Sequence, residues 1–544
     1  MNFMKKYICF AAAVAFCIPL FSQNAASSES QIELPDLTTV VAGGQDADDF
    51  APPPSFEDVL DIPYDSGELV PVLPSISAGD EGDLISAGNQ SDQKAIYAQG
   101  QIGGGYPASF SGDFEISRLY GADPFKISFN HDSAAGFASH NLADGYKESQ
   151  TSITLEKDFI RKDLKFGVSA LYEDRGNGLQ SKVEGISAYN QDSIGLGANL
   201  LWSLPKDFYL GFDLDSLFYF RFSDLTKPSA GAAEVPKWIR NTSRVTADPQ
   251  FKISWIHNGF DISFDALYNL EAWNKVSNRG QVDLNFSWKN DKVKLFADAG
   301  VVFGNTIGDN TVIPPFELGL ETWLPVYFSD RKLNLSLSGG LESKRQSVSE
   351  LEKCFKFSGM EQLSSESSNW FGKVNLLVPL KSSFTGNVSA GYSRTAFGNG
   401  QWTPDYSAES LTCGLYGFSP KKRNELFTDF AFTWKYKIFA ATAKYHASWL
   451  DIPVLENKHT VSVNFALQSQ KGLWGASLDT AYLLDAADNK PVINLEGFVQ
   501  VSEAVRIVLS ANDLLKLLGA EERMYAGQYV GNSGNAMLLV KFLF

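Results

Sequence analysis

Cysteine is scarce in this chain, with four in 544 residues, and Cys9 and Cys17 fall within the first 22. The other two, Cys354 and Cys413, are too few for a disulfide framework. They stand either as one bridge between neighbouring loops or as two separate thiols. Stretches with apolar residues at helical spacing are nearly absent, and after the N-terminus no run reaches the roughly 18 consecutive apolar residues of a membrane helix. The five histidines, His131, His140, His257, His446 and His459, are scattered and show neither metal-ligand spacing nor a nucleophile constellation. Gly103-Gly104-Gly105 precedes no helix, so it is a loop end rather than a phosphate cradle. The residues thus offer no catalytic group, no cofactor site and no metal ligand, and the chain reads as a non-enzyme. No basic patch points to nucleic acid.

Basic residues are missing altogether from residues 23–93, which hold 15 Asp and Glu. Most of the formal charge of −17 therefore belongs to this one segment. Ahead of it, residues 1–22 read as a signal peptide: Lys5 and Lys6, an apolar run over residues 7–16, and Ser22 as a cleavage site. Cys17 would suit lipidation, but Phe16 before it is bulkier than such sites prefer. Residues 23–93, rich in Pro, Asp, Ser and Gly, read as a disordered, acidic, Pro-rich periplasmic leader. One apolar patch interrupts it, formed by Asp36, Leu37, Thr38, Thr39, Val40, Val41 and Ala42. The patch either pairs as an extra strand on a partner's sheet edge or is an incidental Thr/Val cluster in a tail.

What fills the rest, residues 94–544, is alternation of period two. Val282, Leu284, Phe286 and Trp288 alternate with Asp283, Asn285, Ser287 and Lys289. Asn290-Asp291 then leads into Val293, Leu295, Ala297, Ala299 and Val301, a tight hairpin. The same rule holds at Leu164 to Tyr172, at Val461 to Leu467 and at Ile493 to Val501. It holds at the very end too, where Ala536, Leu538, Val540, Phe542 and Phe544 form one set. Aromatics such as Trp255, Trp288, Tyr392 and Trp449 sit near strand ends, as in the interfacial girdles of membrane barrels.

Short connections, such as 121–124, 257–260 and 289–292, alternate with others, many of them longer, such as 132–147, 173–190, 222–248, 342–369, 394–424 and 512–535. Together they divide the chain into about 22 strands, with both ends on one side. The reading is all-β: a transmembrane up-and-down antiparallel β-barrel of about 22 strands, spanning residues 94–544. A soluble β-sandwich or propeller would instead show domain-sized blocks or a repeat of 40–50 residues.

The last two strands resemble those of TonB-dependent outer-membrane receptors. The matching residues are Asn512-Asp513-Leu514-Leu515, then Tyr525-Ala526-Gly527-Gln528-Tyr529 with Gly531 and Gly534, then the closing strand from Ala536 to Phe544. The final strand also looks like that of bacterial outer-membrane barrels in general, which implies an assembly signal at Phe542 and Phe544 read by the barrel-assembly machinery. The resemblance implies a 22-strand barrel in the outer-membrane bilayer, transport of a solute whose identity it does not give, and a TonB-like periplasmic partner. Residues 36–42 faintly resemble the short box that such receptors offer to TonB. The family's plug of about 150 residues has no room here, because only residues 23–93 precede the barrel. Porin-like passive diffusion and a surface-displayed adhesin or scaffold barrel remain as the other functional readings.

Overall fold

The computed structural model describes residues 96–543, apart from 120, 122, 138–139, 227–234, 307–311, 327–328, 363, 382, 399, 485–489, 521 and 526–527. The stretches expected to be signal peptide and leader, with residues 36–42, and Phe544 lie outside the described residues.

The alternating stretches form strands because each has one apolar and one polar face, and each pairs with the strands before and after it. The expected hairpin is present. Strands Val276–Lys289 and Val293–Gly304 pair from Lys289↔Lys294 to Arg279↔Gly304. The Oδ1 of Asn290 accepts from the backbone N–H groups of Lys292 and Val293, both at 2.8 Å, so the side chain itself builds the turn. Twenty-two long strands follow one another in this manner and close into an antiparallel barrel. The seam joins the first strand, Tyr97–Tyr106, to the last, Asn535–Leu543, with Gln99 opposite Leu543 and Tyr106 opposite Ala536. The number of long strands is the one read from the alternation. A two-residue piece, Val312–Ile313, adds to the edge of Val293–Gly304.

The two faces are inverted relative to a soluble sheet. Leu318 and Leu509 are about 60% exposed on the outside of the barrel (60% and 61%), and Phe286 is 38% exposed. On the inside, the Asn285 amide donates to Ser263 Oγ at 3.1 Å and to Asp265 Oδ2 at 2.5 Å. A continuous apolar outer belt with a polar interior is what hydrocarbon on the outside and water on the inside require. It rules out the sandwich and propeller readings, whose apolar face packs inward. Aromatics cluster at the short-turn rim, where Trp288 packs on Phe260 with centroids 6.4 Å apart and Trp255 stacks on His257 at 5.7 Å.

The strands are longer than the alternation suggests. Ile186–Leu204 and Phe208–Leu225 have 19 and 18 residues, against roughly 9–11 needed to cross a bilayer. Stretches read above as loop are therefore partly strand. Pairing continues to Gly178, Leu225 and Gln346, and resumes at Ile186, Asn241 and Ser365. The alternation fades there for a physical reason. Beyond the hydrocarbon the outer face loses its need for apolar side chains, and the inner face packs against loops.

Cysteines placed on the two faces report them directly, after Cys354 and Cys413 are replaced by serine. The thiol introduced by Phe286→Cys is expected to react with a lipid-soluble maleimide and to be shielded from a water-soluble one. The thiol introduced by Asn285→Cys is expected to show the reverse. Free reaction of the Phe286→Cys thiol with the water-soluble reagent would mean that the apolar face is not in lipid.

Candidate functional site

The long connections gather over one mouth of the barrel, and one of them enters it. Between strands Ser329–Gln346 and Ser365–Lys381 the chain forms a helix, Val348–Cys354, and a return segment. Ser347 caps the helix, its Oγ accepting from Glu350 N at 3.4 Å, and Glu350 places a negative charge in the first turn. Val348, Leu351 and Met360 bury together, with Trp402 and Phe418 of a neighbouring loop packed against them.

The inserted loop is held by buried charge. Arg221, Arg244 and Arg279 project inward from strands Phe208–Leu225, Asn241–His257 and Val276–Lys289, and all three are buried. Arg221 Nη1 meets Glu352 Oε1 of the loop helix at 2.9 Å, with 1% and 0% of the two side chains exposed. The same carboxylate accepts from Tyr219 Oη at 2.7 Å and from the Met360 backbone N–H at 3.0 Å. Arg244 Nη1 meets Glu271 Oε1 at 3.1 Å and donates through Nη2 to the Met360 carbonyl at 3.2 Å. The second Glu271 oxygen accepts from Ser364 N at 3.0 Å. Arg279 grips Glu366, at the end of the loop, through Nε at 2.7 Å and Nη2 at 3.0 Å. Taking such ions out of water costs several kcal/mol each, which only multiple, charge-assisted hydrogen bonds offset. The loop is thus bolted to strands well removed from its own along the ring.

Further contacts seal the mouth above it. Phe357 of the loop stacks on Tyr529 of the last connection, with centroids 3.8 Å apart. Tyr529 Oη donates to the Gly414 carbonyl at 2.9 Å, and Tyr189 Oη to that of Cys413 at 2.6 Å. Gln180 exchanges two hydrogen bonds with the Val530 backbone, at 2.8 and 2.9 Å. Loops from five places in the chain therefore share one buried cluster, with Leu179, Ile239, Phe357, Tyr416 and Tyr529 among its members.

Deeper in the lumen the wall is acidic along one arc. Asp215 lies opposite Asp248, Asp265 opposite Asp283, and Asp298 opposite Glu317. Arg345 meets Asp248 at 3.0 Å and Lys252 lies 3.9 Å from Asp265, but like charges set directly across a strand pair are destabilising, and the remaining carboxylates of the arc are not explained by stability.

Of the residues singled out in the sequence, Phe542 pairs with Gly100 of the first strand and Val505 of the penultimate long strand. Residues 36–42 and Phe544 are outside the described residues. Cys354 and Cys413 are not joined by a disulfide, and both sit in the loops over the mouth. Burial pushes both thiols up from the ordinary range. Among the described residues no group of three His, Cys, Asp or Glu is placed to hold a metal ion. The inserted loop was not legible as such, yet Ser347-Val348-Ser349-Glu350 has the pattern of a helix-capping box and marks its start.

Comparison with known proteins finds the barrel but no relative in sequence. No protein-family profile matches the chain, and no curated protein sequence matches it significantly. Solved structures do match. An iron transporter of Neisseria meningitidis, FrpB in its F5-1 variant, superimposes with a TM-score of 0.60 at 9% identity, over 82% of each chain. The copper transporter OprC gives 0.60 at 12% identity, over 83% of each. The siderophore receptor PirA of Pseudomonas aeruginosa gives 0.58 at 8% identity, over 82% of this chain and 80% of that one. At such identities the likeness is one of fold, and it is the fold implied by the resemblance of the last two strands to TonB-dependent receptors.

Two outcomes follow from this geometry. Arg221→Met leaves the Glu352 carboxylate buried without its cation, a change that costs about 3–5 kcal/mol. Trypsin is then expected to cut after Lys353, whose side chain is only 10% exposed in the intact protein, and the Arg221→Met/Glu352→Gln double variant should recover most of the protection. The Cys354 and Cys413 thiols, raised by burial, should alkylate slowly at pH 7 in the folded protein and faster as pH rises. Rapid reaction at pH 7 would show the mouth to be loosely packed.

Proposed function

We propose that this protein carries a solute across the outer membrane through the barrel lumen, and that residues 347–364 form the element that moves to let it pass. The observation that supports this most is the inserted loop. A barrel that only displays surface loops has no need of a polar lumen sealed by buried ion pairs. A permanently open pore would not pin a loop across its mouth through a buried pair such as Arg221–Glu352. The solved structures of similar fold, described as iron, copper and siderophore transporters or receptors, agree with the reading.

The finer parts of the proposal rest on sequence. Residues 1–22 direct export, Phe542 and Phe544 serve assembly, and residues 23–93 form a periplasmic leader. Residues 36–42 engage a TonB-like periplasmic protein, which would supply the work to dislodge the loop.

Planar-bilayer recording tests the proposal. The intact protein should be nearly silent. A variant with residues 348–362 replaced by a short Gly/Ser linker should conduct steadily and prefer cations, because of the acidic arc. Large steady conductance by the intact protein would favour the porin reading. Silence of the shortened variant, once folded, would sink transport and favour display.

A further inference from the structure

Beside the inserted loop, the lumen wall leaves a cavity of about 290 Å³. Its floor is the inward face of the strands that start and end the barrel, and its other side carries Glu352, Lys353 and Lys356 of the loop. The volume lies at the small end of ligand pockets, which run from about 300 to 1,000 Å³. We infer that this chamber is a binding site for a neutral, hydroxyl-rich solute, a carbohydrate unit of one or two rings. The inference rests on the transport reading above and names its substrate class.

Charge is the first argument. The lining holds three cations, Arg175, Lys353 and Lys356, and three carboxylates, Asp132, Glu148 and Glu352. Five of these six are already used within the protein. Arg175 pairs with Glu173 at 2.9 Å, and Lys353 pairs with the same carboxylate. Lys356 pairs with Glu148 at 2.9 Å, and Glu352 is taken by Arg221. An anionic solute would have to break one of these pairs and desolvate its own charge, a double cost, and a cationic one would meet only the single carboxylate of Asp132. A neutral one meets a chamber whose charges cancel.

The second argument is what remains uncommitted. Among the described residues, the side-chain carboxamides of Gln150 and Asn177 have no hydrogen-bond partner in the protein, although both line the cavity. Asn512 donates to Asn535 Oδ1 at 2.9 Å, which leaves the Asn535 amide N–H groups facing the same space. Each carboxamide offers a donor and an acceptor together. A sugar hydroxyl is also donor and acceptor at once, so neighbouring hydroxyls match such a surface group by group. The apolar portion, Ala134 and Met537, suits the C–H face of a ring. The chamber also lies against Lys353 and Lys356, so a solute seated there touches the element that must move.

The test is calorimetric titration of the full-length protein in lauryldimethylamine oxide, a detergent without a sugar head group. The probes are maltose, N-acetylglucosamine, glutamate and lysine. Saturable binding of maltose or N-acetylglucosamine, with glutamate and lysine weaker, is the expected result. Gln150→Ala or Asn177→Ala should weaken that binding about tenfold, the loss of one good hydrogen-bonding group. Neither side chain has a protein partner, so heat-modifiable migration should be unchanged. Binding of neither sugar, tighter binding of a charged probe, or unaltered affinity in both variants overturns the inference, and the wild-type titration alone decides the ligand class. The bilayer experiment separates the two claims. If the loop-shortened barrel conducts but no sugar binds, the transport reading stands and the carbohydrate assignment falls.

Discussion

Everything in this molecule depends on the fact that hydrocarbon offers no partner for a peptide N–H or C=O. A strand facing lipid with a free edge would leave a row of such groups unpaired, at several kcal/mol each. The ring must therefore close, and it closes by pairing the first long strand with the last, from Gln99↔Leu543 to Tyr106↔Ala536. Strand number, the alternation of faces and the demand for short turns on one side all follow from that closure.

Closure creates a second problem, at the mouth. A wide ring of strands has no apolar core, so its larger apolar clusters lie instead where loops meet above the lumen. The clusters around Tyr529 and around Val348 are small, and neither is the centre of a domain. What holds the inserted loop in register is directional: three arginines, each with a carboxylate, of which Arg221 grips Glu352 of the loop helix and Arg244 also donates to the Met360 carbonyl. Buried ion pairs are poor sources of net stability but demanding in geometry, since losing one partner strands the other. That makes them suited to an element that is either fully docked or released, as transport through this lumen would need.

The polar chamber and the acidic arc occupy different parts of the same interior. The chamber is lined by the strands nearest the seam and by the loop, and its charges cancel. The arc runs over strands between Phe208 and Val326, and its carboxylates outnumber the cations set against them, Arg345 on Asp248 and Lys252 on Asp265. A solute path that selects at the mouth by hydrogen bonding and repels anions below it is consistent with both.

The barrel itself was legible from residue order. Phe286 beside Asn285, or Leu538 beside Leu539, shows a period of two. Lipid enforces that period strand by strand, through local chemistry that needs no knowledge of distant contacts. The hairpin at Asn290 was readable for the same reason, because the turn is made by its own side chain. The strand extensions past Gly178, Leu225 and Gln346 were not, because outside the hydrocarbon the constraint on the outer face lapses. Nor were the partners of Arg221, Arg244 and Arg279. A sequence shows that Arg221 alternates inward beside Tyr219, but only the tertiary structure sets it against Glu352, 131 positions along the chain. Local alternation settles which way a side chain points, whereas a buried charge is explained by whatever the closed ring brings across to meet it.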